Sequence, residues 1–177
     1  MDTIRGTVWR FGNDVDTDVI TPGQYVASPM EELKKHVLES VNPKFPEEVK
    51  PGDIIVAGSN FGCGSSRETA PAALKALGLG AIVAESFARI FFRNAIAIGL
   101  PIITCRDVFD YFAEGDELEL DLANAKVTNV TKKKTLAAQP LPDEMKQVLW
   151  KGGIVPLLKE IARANAEQAA LGARDDN

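Results

Sequence analysis

Gly58-Ser59-Asn60-Phe61-Gly62-Cys63-Gly64-Ser65-Ser66-Arg67-Glu68 lies between an apolar run, Ile54-Ile55-Val56-Ala57, and a stretch of helix formers, Ala70 to Leu77. The run reads as a buried strand and the stretch as a helix. A strand, a Gly-rich turn and a helix start, in that order, make an anion site, because free N–H groups and the positive end of the helix dipole face outward. Gly58, Gly62 and Gly64 let the backbone come close to a ligand. Ser65, Ser66 and Arg67 add two hydroxyls and a fork of donors. This is chemistry for a carboxylate or a phosphate.

Working outward, Ala81 to Ala84 reads as a second strand. Ser86 reads as the N-cap of a helix from Phe87 to Ile98, stopped by Gly99, and Pro101 to Thr104 as a third strand. The fold class is α/β with a parallel β-α-β-α-β core. The Gly-rich turn then falls beyond the carboxyl end of a strand, where open sheets bind ligands. Upstream, Thr3 to Phe11 alternates like a strand, and Met30 to Glu39 has helical spacing. Between them lies an unusual loop, Asp16-Thr17-Asp18-Val19-Ile20-Thr21-Pro22-Gly23. Downstream, Glu117 to Leu122 alternates cleanly, with Val127 to Val130 placed to pair with it, which adds antiparallel strands. Pro142 to Trp150 and Ile154 to Ala170 read as helices, giving a helical tail over about 142–177 that frays from Leu171. At this length residues 1–177 are expected to form one domain.

The helix after the Gly-rich turn has two possible starts. Ser65 with Glu68 matches a capping box, or Thr69 caps and Pro71 falls in the first turn. Both leave donors for a ligand.

Composition excludes several classes. A net charge of −5 disfavours nucleic acid, and Lys132-Lys133-Lys134 reads as a solvated turn. No stretch has transmembrane length and the N-terminus lacks signal-peptide character, so no membrane partner is expected. Cys63 and Cys105 are the only cysteines, which implies no disulfide framework and fits a reducing cytoplasm. Asn129-Val130-Thr131 is then not a glycosylation site. With those two cysteines and His36 alone, the chain cannot supply a multi-ligand metal site. The P-loop lysine and the third glycine of the dinucleotide fingerprint are both missing, Arg67 standing in the latter position. A small carboxylate is preferred over a nucleotide.

Asn60 to Arg67, Ala70-Pro71-Ala72-Ala73-Leu74, Ser86-Phe87-Ala88-Arg89-Ile90-Phe91 and Gly99-Leu100-Pro101 follow one another in a specific order. With Asp16-Thr17-Asp18 and Pro22-Gly23 upstream, the chain resembles the small subunits of 3-isopropylmalate dehydratase over nearly its whole length. That family belongs to the aconitase swivel-domain superfamily. The resemblance implies a swivelling β/β/α domain that binds no cofactor itself. It implies a large catalytic subunit holding a [4Fe-4S] cluster, and a hydro-lyase reaction on a small hydroxy-diacid in leucine biosynthesis. It makes Ser65 the base for the carbon-bound proton, with Arg67 clamping a carboxylate and Ser66 donating a further hydrogen bond. Asn60 and Gly64 would complete substrate binding, and Asp18 would orient a histidine of the large subunit. It also makes Tyr25, Val26, Ala27 and Ser28 a specificity loop. Relatives acting on tricarboxylates carry an arginine there, whereas Gln24 to Pro29 contains no cation, so an isopropyl- or methyl-bearing substrate is expected. The family often has a second asparagine in the helix after Ser86, where this chain has Ala97 or Ile98, while Asn94 is kept. That leaves room for a variant substrate such as a dimethylated malate, and a dehydratase subunit for a related diacid of the dimethylmalate, methylmalate/citraconate or homoaconitate type is the alternative. The rival reading is a free-standing carboxylate-binding module.

Other residues read as structural. Cys63 is taken as a space-filler near the cluster rather than a nucleophile, for want of a histidine. Phe87, Ile90, Phe91 and Ile98 are read as core, Cys105 as a buried small hydrophobe and His36 as a surface residue. Arg89 and Arg93, one turn apart, either bind substrate or form a salt bridge to the Gly-rich loop or the partner, and the salt bridge is preferred.

Overall fold

A strand with no polar residue must be covered on both faces. Ile54–Ala57 and Ala81–Ala84 meet that condition, because every residue of each is buried. The computed structural model describes the backbone from Thr3 to Asp175 and the side chains as far as Gln168. Its strands are β1 (Ile4–Phe11), β2 (Ile54–Ala57), β3 (Ala81–Ala84), β4 (Ile102–Thr104), β5 (Glu117–Asp121), β6 (Lys126–Asn129) and β7 (Lys134–Ala137). They form a seven-stranded sheet in the order β4-β3-β2-β1-β5-β6-β7. The short helices are α1 (Thr17–Ile20), α2 (Met30–Leu33), α3 (Phe45–Glu48) and α6 (Val108–Tyr111). The longer ones are α4 (Thr69–Ala76), α5 (Arg89–Ala97), α7 (Asp143–Trp150) and α8 (Ile154–Asp175). None of the described helices is long and apolar enough to cross a membrane.

The expected parallel core is present as β2-α4-β3-α5-β4. Strand β1 extends it and joins the two halves of the sheet. One edge of β1 runs parallel to β2, with Val8 opposite Ile54. The other runs antiparallel to β5, with Ile4 opposite Leu120. In β5 the alternation read from sequence holds, with Leu118 and Leu120 buried. On the wet face Glu117 accepts two hydrogen bonds from Arg5, at 2.6 and 2.9 Å.

Two elements differ from the sequence reading. Met30 to Glu39 is not one helix: α2 stops at Leu33, a 3-10 turn covers Lys34–His36, and Leu38 takes φ 58°. The reason is burial. The chain turns so that Val37 and Leu38, adjacent and both fully buried, enter the core together, and the Leu38 N–H donates to the Ile20 carbonyl at 3.1 Å. The terminal helix α8, expected to end at Ala170, continues to Asp175.

At the base of α8 the backbone packs against the end of α5. Gly99 has φ +76°, and a Cβ there would lie 2.2 Å from the Gly152 carbonyl carbon. Only glycine fits such a contact. Before β2, Phe45 is fully buried and meets Trp9 and Phe11 edge-on, at 5.2 and 5.3 Å between ring centroids. Phe45→Ala is expected to lower stability by about 3–5 kcal/mol, measured by chemical denaturation. A loss below about 1 kcal/mol would mean that the pocket around this ring collapses freely.

Candidate functional site

Three loops leave the carboxyl edge of the parallel strands, one each from β1, β2 and β3. The first two are joined along their length. The Asp14 N–H donates to the Ser59 carbonyl, the Gly62 N–H to Val15 and the Thr17 N–H to Cys63, each at 2.8 Å. Asp16 and Cys63 form a parallel bridge, as do Phe61 and Phe87. The pairing of β1, β2 and β3 therefore continues past the strand ends and fixes the loops against one another.

Asp16 has a second task. Its carboxylate accepts from the Asp18 N–H at 2.6 Å and caps α1. A Cβ on Gly64, which has φ +89°, would lie 2.4 Å from that carboxylate. Gly64 is thus needed for both its backbone angle and its empty side. It shapes the loop by what it lacks.

The cap aims Asp18 at the second loop. Its carboxylate pairs with the Arg67 guanidinium, whose other nitrogen donates to the Thr21 carbonyl at 3.3 Å. The Thr17 hydroxyl donates to the Ser65 carbonyl at 3.0 Å and lies 3.5 Å from the Ser65 hydroxyl. Ser65, Ser66, Arg67 and Thr17 line a cavity of about 370 Å³ with Gly62, Gly64 and Asn94. Its far wall is the first turn of α5, Ala88 to Phe91. No side chain caps that turn, so its N–H groups and the positive end of its dipole are open to an anion. Asp18, Ser65, Ser66, Arg67 and Gly64 are therefore brought together, and Ser65 and Ser66 are exposed.

Three expectations need correction. Asn60 is not in this cavity. Its side chain donates to Asp14 at 2.8 Å, and its N–H donates to the Ser86 hydroxyl at 2.8 Å, which holds its φ of 61°. Ser86 is consequently no N-cap: α5 starts at Arg89, with Ala88 in the cap position. Neither proposed cap operates at α4, where Glu68 occupies the cap position without a side-chain bond and the Thr69 hydroxyl is buried without a partner. The dipole that serves the cavity is that of α5, two elements further on. The sequence signal for it is an absence, since Ala88 leaves α5 uncapped.

The loop Tyr25-Val26-Ala27-Ser28 begins beside the clamp, with the Arg67 guanidinium 3.9 Å from where a Gly23 Cβ would lie. A 3-10 turn over Gly23–Tyr25 starts it. The next cations along the chain are neutralised locally, Lys34 by Glu31 and Lys35 by Glu32. His36 is not an idle surface residue. Its ring stacks on Tyr25 at 3.6 Å with an interplanar angle of 5°, and its nitrogens meet Glu39 at 2.7 Å and Glu32 at 3.4 Å. The hydrogen bond to Glu39, followed by that to Glu32 and the charges of the two acids, raises the His36 pKa against the opposing effect of burial.

Cys63 is half-buried, and its pKa is raised by burial and then by the charges of Asp16 and Asp14. That suits an inert thiol rather than a thiolate nucleophile. Cys105 is buried after β4, with its pKa pushed up to about 11 by burial. Neither thiol is disposed to ligate iron, and among the described residues no three His, Cys, Asp or Glu side chains gather as metal ligands. The described residues therefore offer no ligand set that fits an iron–sulfur cluster.

This sheet and the Ser-Ser-Arg loop define an α/β domain of aconitase C-terminal type. The family described as Aconitase C-terminal domain matches residues 16–107. The chain is 54% identical over 159 residues to 3-isopropylmalate dehydratase small subunit 1 of Methanopyrus kandleri, covering 89% of this chain and 94% of that protein. It is 52% identical over 158 residues to the isopropylmalate/citramalate isomerase small subunit of Methanocaldococcus jannaschii, covering 89% and 94%. A crystal structure of 3-isopropylmalate dehydratase from the latter organism superposes with a TM-score of 0.88 at 41% identity, over 94% of this chain and 99% of that one. The chain belongs to the small-subunit family of 3-isopropylmalate dehydratase, as the motifs in the sequence implied. The words "small subunit" in its relatives' names imply a larger partner.

Two outcomes test the site. Gly64→Ala is expected to cost about 1–3 kcal/mol in denaturation, by displacing the Asp16 cap and straining the turn. An unchanged midpoint would show that the Asp16–Gly64 contact fixes nothing. The second concerns pH. A raised His36 pKa contributes stability that is fully present below the ordinary histidine value and is lost as pH rises through the raised one. The denaturation midpoint should fall as pH rises above the ordinary histidine value of about 6.5, and fall less in His36→Gln. Parallel curves for the two proteins would disprove the coupling.

Proposed function

We propose that this chain is the small subunit of a hydro-lyase that interconverts 2- and 3-isopropylmalate in leucine biosynthesis, and that it completes an active site shared with a larger subunit. The observation that carries the reading is the cavity lined by Ser65, Ser66 and Arg67, with Asp18 paired to that arginine, while Ser65 and Ser66 stay open to water. Water-exposed hydroxyls are weak acid–base groups, and they gain strength when a second surface excludes solvent. The [4Fe-4S] cluster implied by the family belongs, in this reading, to the partner, and its Lewis-acid chemistry lies outside this chain.

The chain's own residues have distinct tasks. The Ser65 oxygen, as alkoxide, takes the proton from the carbon next to the one that loses hydroxide, and a C=C bond forms between them. Readdition of water in the opposite sense returns that proton from the Ser65 hydroxyl. The alkoxide is stabilised by the α5 N-terminus and the Arg67 charge, with the Thr17 hydroxyl 3.5 Å away. Arg67 binds a substrate carboxylate through the same guanidinium that pairs with the Asp18 carboxylate. Once the substrate takes that position, Asp18 is released toward a histidine of the larger subunit. Ser66 and the N–H of Gly64 hold the carboxylate's remaining lone pairs. Asn60 acts at one remove, by fixing the loop from Asp14 to Ser86.

Substrate choice rests with Val26, Ala27 and Ser28, which offer no cation to a third carboxylate. Leaving one unpaired costs about 1–3 kcal/mol, roughly tenfold to a hundredfold in preference. A methyl in place of isopropyl carries no such cost, and one relative is named an isopropylmalate/citramalate isomerase.

The test is turnover of the chain co-expressed with its candidate large subunit and reconstituted without oxygen. Activity on 2-isopropylmalate should require both subunits and fall by about 10²–10⁴ in Ser65→Ala while the subunits still associate. Full activity in Ser65→Ala, or faster turnover of citrate or homocitrate than of 2-isopropylmalate, would defeat the proposal. Tight carboxylate binding by the lone chain, with no turnover in any complex, would favour a free-standing binding module.

A further inference from the structure

A second cavity, of about 410 Å³, opens on the other flank of α5. It shares only Arg89 with the Ser65 cavity. Its polar groups are Arg89, Arg93, Ser86, Thr104 and Gln139. Ser86 follows β3 and Thr104 ends β4, so this cavity too lies at the carboxyl edge of the parallel strands. The Gln139 N–H donates to the Thr104 carbonyl at 2.8 Å and seats the segment that closes one side.

Its electrostatics are uncompensated. Arg89 and Arg93 lie one turn apart, where like charges repel. Among the described residues neither forms an ion pair or a side-chain hydrogen bond, so the expected salt bridge to the Gly-rich loop is not formed. Two acids that adjoin the lining in sequence are engaged elsewhere, whereas Glu144, next to Met145, forms no ion pair among the described residues. Asp143, which starts α7, pairs with Lys146 at 3.0 Å, and Glu85 accepts from Ser59 at 3.2 Å. In a chain of net charge −5, two unpaired arginines on one wall form a local positive field. The Ser86 oxygen already accepts from Asn60, so its O–H is left to donate. Phe87, Phe92, Leu141 and Met145 make the remaining walls apolar. The volume and the mixture of apolar walls with a few convergent donors are those of a small-molecule site.

We infer that this cavity binds a small carboxylate with an apolar body, the carboxylate between Arg89 and Arg93 and the hydrocarbon against Phe92, Leu141 and Met145. The site is separate from the Ser65 chemistry and goes beyond the function proposed above. A mono-carboxylate with a branched chain of a few carbons fits the volume and the single pair of cations.

The experiment is a titration of the full-length, isotope-labelled chain with 4-methylpentanoate, acetate and sulfate, read by NMR at the arginine Nε–H groups and at the Thr104 and Gln139 amides. 4-Methylpentanoate should shift the Arg89, Arg93 and Thr104 signals saturably, with a dissociation constant at least about tenfold below that of acetate. The double variant Arg89→Gln/Arg93→Gln, with a dispersed spectrum showing that it folds, should bind at least about tenfold more weakly. Ser65→Ala should bind as the unaltered chain does, which separates this site from the catalytic reading. No saturable shift, equal binding of all three anions, or undiminished binding in the double variant would each overturn the inference. So would a double variant whose sole defect is loss of association with the large subunit, because the arginines would then belong to a protein interface.

Discussion

The site depends on the backbone pairing that runs on after β1 and β2 end. Three hydrogen bonds of 2.8 Å join the Asp14–Thr17 loop to the Ser59–Cys63 loop. Neither loop has regular structure of its own, and each would otherwise be a mobile surface connection. Joined, they hold Asp18 and Arg67 in contact although these are far apart in the chain. The sheet supplies the rigidity and the loops supply the chemistry. Gly64 is the narrowest point of this arrangement, since it must leave room for the Asp16 carboxylate that orients α1.

The Arg67–Asp18 pair also shows how the chain tolerates a half-built site. The Arg67 guanidinium would otherwise face solvent or a foreign anion. Asp18 satisfies it without burying charge, because the Asp18 side chain remains 59% exposed. Exposed pairs of this kind contribute little to stability, so a ligand exchanges for Asp18 at small cost. Ser65 and Ser66 are exposed as well. In the function proposed above, they gain strength as acid–base groups when a second surface covers them.

Much of the fold was legible because its strongest signals are local. β2 and β3 are unbroken apolar runs, each with a glycine at one end and an acid at the other, β5 alternates, and Gly99 with Pro101 ends α5. The clustering of Ser65, Ser66 and Arg67 was legible for the same reason, as they are neighbours in one turn. What escaped the sequence depends on distant partners. Ser86 has the residue type of a cap, yet its hydroxyl is taken by the Asn60 N–H, a backbone group 26 positions earlier. Met30 to Glu39 has helical spacing, yet burial of Val37 and Leu38 together breaks it. The role of β1 as the joint between parallel and antiparallel halves has no local signature, because it is a matter of which strands flank it. His36 looked idle because its stacking partner, Tyr25, is unremarkable until the loop folds back.

The Tyr25–His36 stack separates the loop into an anchored start and a free middle. Gly23 stays beside the guanidinium and Tyr25 is pinned by the ring beneath it, while Val26 and Ser28 are tied back by backbone bonds to Gly23 and Tyr25 and, among the described residues, make no side-chain hydrogen bond. With substrate choice assigned to Val26, Ala27 and Ser28 in the function proposed above, mutation there would change the acid accepted and leave the sheet and its joined loops in place. On that proposal a lineage carrying this domain would drift from one acid to a neighbouring one through variants that remain folded. Gene duplication would then need few steps to yield paralogues with divided substrate ranges.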